Sequence, residues 1–412
     1  MRLKLKLKIP ALESILLFYY ITFTIWKDLI FSKLPGGTTL SVIVLIFLWI
    51  CTLQIQNKHL VEYIDVFALY IFLFFLFFFK FWENSEMSPW IDRTYGLISV
   101  ITWGGIYGYA VIRVQRNYNR TLDCLKKAGI LLLIYYAWQS LEVFRTGYWT
   151  YEQFGIIRQT TSNMSWSYGI LAAMCFLSIY YFREKKRWMI IIFAICTIGI
   201  LMYGSRGTLL AVAFGVLLCV LFYHQEKMPK KNYVILFILI GLGIFLISDK
   251  GVALISDFLS SRGISSRFID SLLNYTTFAE TSNGRMRIWS TVFDLISTGP
   301  FYGYGVFAER NVVYNLGMKW GYSHNIFLEI LADFGWLIGS FIIIYLVFWL
   351  VRFFKDTKKE KDERLLFVIF LTISFELVLS NSIWLHYGLW ILMGLCVNHF
   401  KRKRYLLRGE KR

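Results

Sequence analysis

An all-α polytopic membrane bundle of about twelve helices is what this sequence predicts, and three observations carry that expectation. Only 17% of its 412 residues are charged and 57% are hydrophobic, whereas an ordinary soluble domain carries roughly 25% charged residues. The hydrophobic residues fall in blocks of about 16–25, the length that crosses a hydrocarbon core of ~30 Å as a helix. Lys and Arg gather at alternate ends of those blocks, as they do where cytoplasmic loops retain positive charge. A β-barrel would instead show segments of roughly 10 residues alternating apolar and polar, and these blocks do not alternate.

The blocks read in order as follows. Residues 11–31 follow Lys4, Lys6 and Lys8 and lack a small-residue cleavage site, so they are expected to stay in the bilayer rather than serve as a leader. Residues 38–56 and 60–82 flank Lys58. Residues 95–113 and 128–146 flank Arg116, Arg120, Lys126 and Lys127, and 164–182 and 188–204 flank Arg183, Lys185, Lys186 and Arg187. Residues 207–223 and 233–248 flank Lys227, Lys230 and Lys231. The last three spans are 326–351, 365–384 and 386–400. An even count puts both termini on one side. About 30 of the 44 Lys and Arg residues fall there, which makes that side cytoplasmic. The expected organisation is helices 1–9 in 1–248, an external loop carrying chemistry in 249–325, helices 10–12 in 326–400, and a basic cytoplasmic tail in 401–412. The loop between helices 9 and 10 is too long for a connector and is rich in aromatic residues and glycine, so it is expected to fold.

Several function classes are excluded at this stage. A net charge of +18 invites a nucleic-acid partner, but the charge sits at block ends and forms no basic groove. The six cysteines lie in or beside apolar blocks without metal-ligand spacing and read as small buried hydrophobes. There is no P-loop, no HExxH and no acidic run suited to a divalent cation, so neither a metal nor a cofactor is expected. No internal repeat supports an inverted-repeat transporter.

The candidate residues concentrate on the outer face. Arg206, in a short link between two apolar blocks, reads either as a snorkelling side chain or as a planar cation that takes a phosphate in bidentate fashion. Arg285 and Arg287 precede a stretch whose Ile288, Val292, Leu295 and Ile296 follow helical spacing, consistent with an interfacial helix. Arg262, Arg267 and Arg310 share the loop and suit anionic headgroups. His324 stands where the loop re-enters the membrane. Nearby cations would keep it neutral and basic, although a structural role is the commoner use of such a residue. His59, His224 and His399 fall on the inner side, whereas His324 and His386 share the face with the arginines. Glu376 lies within an apolar block and reads as a support residue, bonded to Ser374 or to another helix.

With these residues in place the sequence resembles the bacterial O-antigen ligase and O-antigen polymerase (Wzy-type) family. The stretch SRGTLL (205–210) matches its Arg-xxx-Leu element through Arg206 and Leu210. GRMRIW (284–289) is similar to Gly-Arg-xxx-Trp, which assigns the family's arginine to Arg285. GPFYGYG (299–305) resembles its Pro-xx-Gly-x-Gly turn. HNIFLEILADFG (324–335) matches His-Asn-xx-Leu-xxxxxx-Gly through His324, Asn325, Leu328 and Gly335. RQTTSNMSW (158–166) echoes an upstream Arg/Asn segment, with Ser162 where that segment carries proline.

The resemblance implies a GT-C-like, metal-independent, inverting glycosyltransferase of the cytoplasmic membrane with its site on the outer face. Its donor would be a glycan on undecaprenyl diphosphate and its acceptor a glycan or glycolipid hydroxyl, with the bilayer, a flippase and a chain-length regulator as its company. His324, Arg206 and Arg285 would be catalytic, and Arg287, Asn325, Arg158 and Arg310 would contact substrate. Polymerisation of a surface glycan (O-antigen, capsule or exopolysaccharide) is the leading reading and ligation of the finished glycan the alternative. A lipid-linked oligosaccharide flippase would instead spread charge over many helices around a central cavity. A non-catalytic partner of a synthase would leave His324 and Arg206 without a task.

Overall fold

The computed structural model describes residues 11–56, 60–93, 95–153, 156–160, 163–220, 275–317 and 321–407, with isolated positions 254, 257 and 261. The expected span 233–248, most of the loop before residue 275, Arg262, Arg267, His59 and His224 lie outside them.

The described chain is almost wholly helical. Its elements are α1 (Leu12–Ile21), α2 (Phe23–Leu29), α3 (Gly37–Ile55), α4 (Ile64–Glu83), α5 (Leu97–Trp103), α6 (Tyr107–Arg113) and α7 (Tyr118–Thr146). After a hairpin come α8 (Met164–Phe182), α9 (Met189–Tyr203) and α10 (Arg206–Leu218). The remaining helices are α11 (Tyr275–Thr298), α12 (Arg310–Asn315), α13 (Ile326–Asp356), α14 (Lys361–Ser374), α15 (Glu376–Leu379) and α16 (Tyr387–Leu407). Among the described residues three helices are long and apolar enough to cross a membrane, Val61–Glu83, Met164–Phe182 and Ile326–Asp356, and a fourth if α1 and the bent stretch after it count as one. Shorter apolar helices include Met189–Tyr203 and Gly207–Leu218. The outward faces of α4 and α13 carry exposed Phe74, Phe75, Phe78, Phe341, Ile344 and Phe348. So much exposed apolar surface is expected where lipid, not water, is the solvent.

Among the described residues one short hairpin stands within this otherwise all-α architecture. Trp149–Gln153 (β1) pairs antiparallel with Ile156–Thr160 (β2), Tyr151 opposite Arg158. Trp149 anchors it by packing on Trp166, with ring centroids 5.3 Å apart.

Three expected spans are divided by non-helical stretches, and a fourth, 326–351, kinks at Gly335. Residues 11–31 bend by 67° between α1 and α2, where the Thr22 hydroxyl donates to the Phe18 carbonyl at 2.6 Å, a back-bond that bends helices. Residues 95–113 divide at Gly104-Gly105 into α5 and α6. Residues 365–384 stop helically at Leu379, and Asn381 in the following turn takes a φ of 64°. The last two breaks meet. The Gly105 amide donates to the Trp384 carbonyl at 3.0 Å, and a Cβ on Gly105 would lie 2.4 Å from the His386 backbone. Only glycine permits so close a crossing. Residues 285–298 are helical as expected, within the longer α11. Their Ile288, Val292 and Ile296 pack on Val313 and Ala332, so this face is buried in protein and does not lie on the bilayer.

One end of the bundle is held by several clusters of ion pairs. Arg113 Nε stands 2.7 Å and Lys401 Nζ 2.6 Å from the two oxygens of Asp65. Lys403 pairs with Asp356 at 2.8 Å, His399 with Glu363 at 2.5 Å, and Arg183 with Asp362 at 3.4 Å. Arg183, Asp356, Asp362 and Glu363 come from the expected inner loops, Lys401 and Lys403 from the tail, and Asp65, Arg113 and His399 from the inner ends of the expected spans. Helices α8, α16 and the part of α13 after its kink at Gly335 run from this end toward the other, each about 30 Å long at 1.5 Å per residue.

Candidate active site at the loop–helix junction

The opposite end is built by α11, the 299–325 segment, the start of α13 and the turn at 380–386. Asn325 caps α13, its Oδ1 accepting from the Phe327 and Leu328 amides at 2.9 and 3.3 Å. The His-Asn pair therefore places His324 immediately outside the first turn of a long helix. His324 holds a φ of 55°, a left-handed conformation that a non-glycine residue keeps only when its surroundings enforce it.

Trp289 supplies part of that enforcement. Its Nε1 donates to the carbonyl of the buried Ser323 at 3.1 Å. Arg285 stands four residues earlier on α11 and so shares the face of Trp289. The Arg-xxx-Trp spacing thus clamps the loop with its tryptophan and presents its arginine to the histidine. Arg287 is exposed and two residues further round the helix.

On its other side the His324 ring packs on Tyr322, centroids 4.1 Å apart. Its Nδ1 is buried without a hydrogen-bond partner among the described residues. Desolvation, then the charges of Arg285 and Arg310, push the imidazole down to about 3. That depression favours the neutral imidazole, which carries one nitrogen lone pair.

Arg310 reaches His324 only through its field. It is fully buried, with Nη2 3.2 Å from Glu329 Oε1 and 3.0 Å from Ser382 Oγ. The Ser382 hydroxyl and Ile383 amide also donate to Glu329, at 2.5 and 2.8 Å. The guanidinium packs over Phe307 and Tyr322 as well. Glu309, also buried, stands 3.8 Å from Arg310, and its burial pushes the carboxyl up. Asp333 accepts from the Ala308 amide and from Trp384 Nε1, each at 3.1 Å. This network ties the loop, α13 and the 380–386 turn into one unit. Its carboxylates were not among the sequence candidates, although Glu329 and Asp333 stand four apart at the start of an apolar helix.

Arg206 opens α10, whose first turn is capped by Ser205 Oγ accepting from the Thr208 amide at 3.3 Å. The next residue, Gly207, lies against the Tyr168 hydroxyl, 2.5 Å from where a Cβ would stand. Tyr168 is in turn within electrostatic reach of Arg285. Arg158 stands in β2. Thus His324, Arg285 and Arg310 converge, the backbone of Arg206 starts beside Tyr168, Asn325 serves as a cap, and Arg287 faces outward. Among the described residues no group of His, Cys, Asp and Glu has the arrangement of a metal site.

Residues 191–344 match a family model described as O-antigen ligase. A ComP-specific O-oligosaccharyltransferase of Acinetobacter baylyi (strain ATCC 33305 / BD413 / ADP1) is 29% identical over 111 residues. That match covers 25% of this chain and spans only 20% of the relative's length. The resemblance to the O-antigen ligase family is thereby shown, and the members of that family transfer glycans. Between the two enzyme readings, the comparisons back ligase-type transfer better than the polymerase reading that led from sequence.

Proposed function

We propose that this protein is a ligase-type glycosyltransferase of the cytoplasmic membrane that moves a lipid-linked glycan onto an acceptor hydroxyl at the extracytoplasmic face. The observation that carries the reading is the clamp of Trp289 on Ser323. It holds a neutral, strained His324 within electrostatic reach of Arg285 at one end of an apolar bundle. The basic clusters at the other end support a cytoplasmic placement of the tail and of the 352–364 link. The twelve-span layout with both termini inside is part of the proposal.

In this reading the donor is a glycan on undecaprenyl diphosphate. The acceptor oxygen attacks the anomeric carbon, the bond from that carbon to the diphosphate oxygen breaks, and the electron pair leaves on the diphosphate. Arg206 and Arg285 stabilise that developing charge, the task a divalent cation performs elsewhere. The acceptor proton passes to His324, a general-base step worth about 10²–10⁴-fold. Direct displacement inverts the anomeric centre. The diphosphate also prepares the base: its negative charge offsets the two guanidiniums that hold His324 down, so donor binding raises the basicity of the imidazole.

The test is glycan output in the deletion host carrying His324→Ala, Arg206→Ala or Arg285→Ala, each at normal membrane abundance. A full-length glycan that accumulates on its lipid carrier and never reaches an acceptor is the expected result. Single repeat units on the carrier would restore the polymerase reading, and unchanged output from all three variants would refute the site.

A further inference from the structure

The turn at 380–386 holds a second pair of polar groups that the chemistry above does not use. Glu376 Oε1 accepts from Asn381 Nδ2 at 3.0 Å. His386, only 3% exposed, has its Nε2 3.3 Å from Glu376 Oε2. The approach is off hydrogen-bond geometry, and that nitrogen has no hydrogen-bond partner among the described residues. The Gly388 amide donates to His386 Nδ1 at 3.2 Å, which assigns the neutral ring's proton to Nε2. The result is a carboxylate acceptor beside an imidazole N–H donor, each fixed from behind. A sugar hydroxyl, which donates one hydrogen bond and accepts another, matches that pair.

The surroundings fit a sugar as well. Glu376 lies within electrostatic reach of Tyr95, Tyr168, Tyr322 and Tyr387, so the pair sits among aromatic side chains that also carry hydroxyl groups. Tyr168 links the pair to both arginine positions, since Gly207 packs on its hydroxyl and Arg285 acts on it electrostatically. If those arginines hold the diphosphate, the nearest part of the donor is the sugar one bond away from it. We infer that Glu376 and His386 form a subsite for a hydroxyl of the first donor sugar, and so select which lipid-linked glycan is transferred. This inference rests on the function proposed above. It gives Glu376 a role beyond helix support.

The experiment compares two probes on the purified full-length protein by tryptophan fluorescence. One is bare undecaprenyl diphosphate and the other is the lipid-linked glycan that accumulates in the deletion host. The parent protein is expected to bind the glycan-bearing lipid more tightly than the bare one. Glu376→Gln should lose that increment, weakening the glycan-bearing probe about tenfold while the Kd for bare lipid stays unchanged. His386→Gln should lose part of the same increment, and it decides the matter if Glu376→Gln does not reach normal Tm. Unchanged affinity for both probes in these variants would overturn the inference. So would equal weakening of both, which would place Glu376 in support of the diphosphate site. If the parent binds neither probe, or Arg285→Ala binds bare lipid as the parent does, the proposed function itself fails, whatever Glu376 does.

Discussion

Gly303 and Gly335 interlock backbone to backbone: a Cβ built on either would stand 2.3 Å from the amide nitrogen of the other. Both take left-handed φ values, 82° and 75°. The contact seats the Gly-rich turn after α11 in the kink of α13, where the Gly305 amide donates to the Asp333 carbonyl at 2.9 Å. Two motifs that are separate in sequence are thus halves of one joint. Alanine at either position adds a strained φ, costing roughly 1–2 kcal/mol, to an overlap that moves backbone. Gly303→Ala and Gly335→Ala are expected to lower membrane abundance severalfold, read by quantitative immunoblot. Gly317→Ala is the control, because nothing lies within 4 Å of its Cβ position and it carries the φ penalty alone.

Trp289→Phe isolates the clamp. Phenylalanine keeps most of the packing on α11 but cannot donate to the Ser323 carbonyl. Leaving that buried acceptor unpaired costs about 1–3 kcal/mol. Because His324 follows Ser323 directly, the loss is expected chiefly in turnover, about tenfold, with donor KM little changed. Kinetics on purified protein check this, and a Tm drop without a turnover defect would show that Trp289 only stabilises the fold.

The pH behaviour of His324 has a definite sign. The group titrates near 6.5 when unfolded and about 3 when folded. Between those values the unfolded chain takes up the proton and the folded chain does not, so acidification from pH 6.5 towards 3 costs stability. His324→Asn should flatten that part of the Tm–pH curve. Arg285→Ala removes one of the depressing charges and should raise the imidazole's pKa, as should added pyrophosphate on the parent protein. NMR titration of labelled histidine reads both shifts, and no rise in either case would remove the electrostatic link between arginine and base.

How much was legible in advance follows from the range of each signal. The α8 and α9 segments were read to within a residue or two, because apolar length and flanking charge are local. His324 and Arg285 stand out through their places in short motifs, and the fold brings them within electrostatic reach of each other. The breaks at Gly104-Gly105 and 380–386 were not, because each is stabilised by the other across the bundle and neither segment loses its apolar character. The hairpin has a local signal in the sequence, since Thr150, Tyr151, Ile156 and Ile157 are strand formers around a glycine. Arg310 illustrates the deeper limit. Its exposure depends on Glu329 and Ser382, which are 19 and 72 residues away.

That burial separates Arg310 from Arg285 in a way experiment can read. Truncating one member of a buried ion pair strands its partner, at a cost of about 3–5 kcal/mol. Arg310→Ala would leave Glu329 with the Ser382 and Ile383 donors but without its guanidinium partner, beside the equally buried Glu309 and Asp333. The protein should lose Tm and abundance, and glycan output should fall in proportion to abundance. Arg285 is only partly buried and acts on His324 through its charge. Arg285→Ala should therefore keep its Tm and lose output per molecule. Pairing Arg310→Ala with Glu329→Ala sharpens the contrast. If Arg310 acts through the network, the double variant recovers part of the lost stability. If Arg310 contacts the diphosphate, it recovers none and bare undecaprenyl diphosphate binds more weakly to Arg310→Ala.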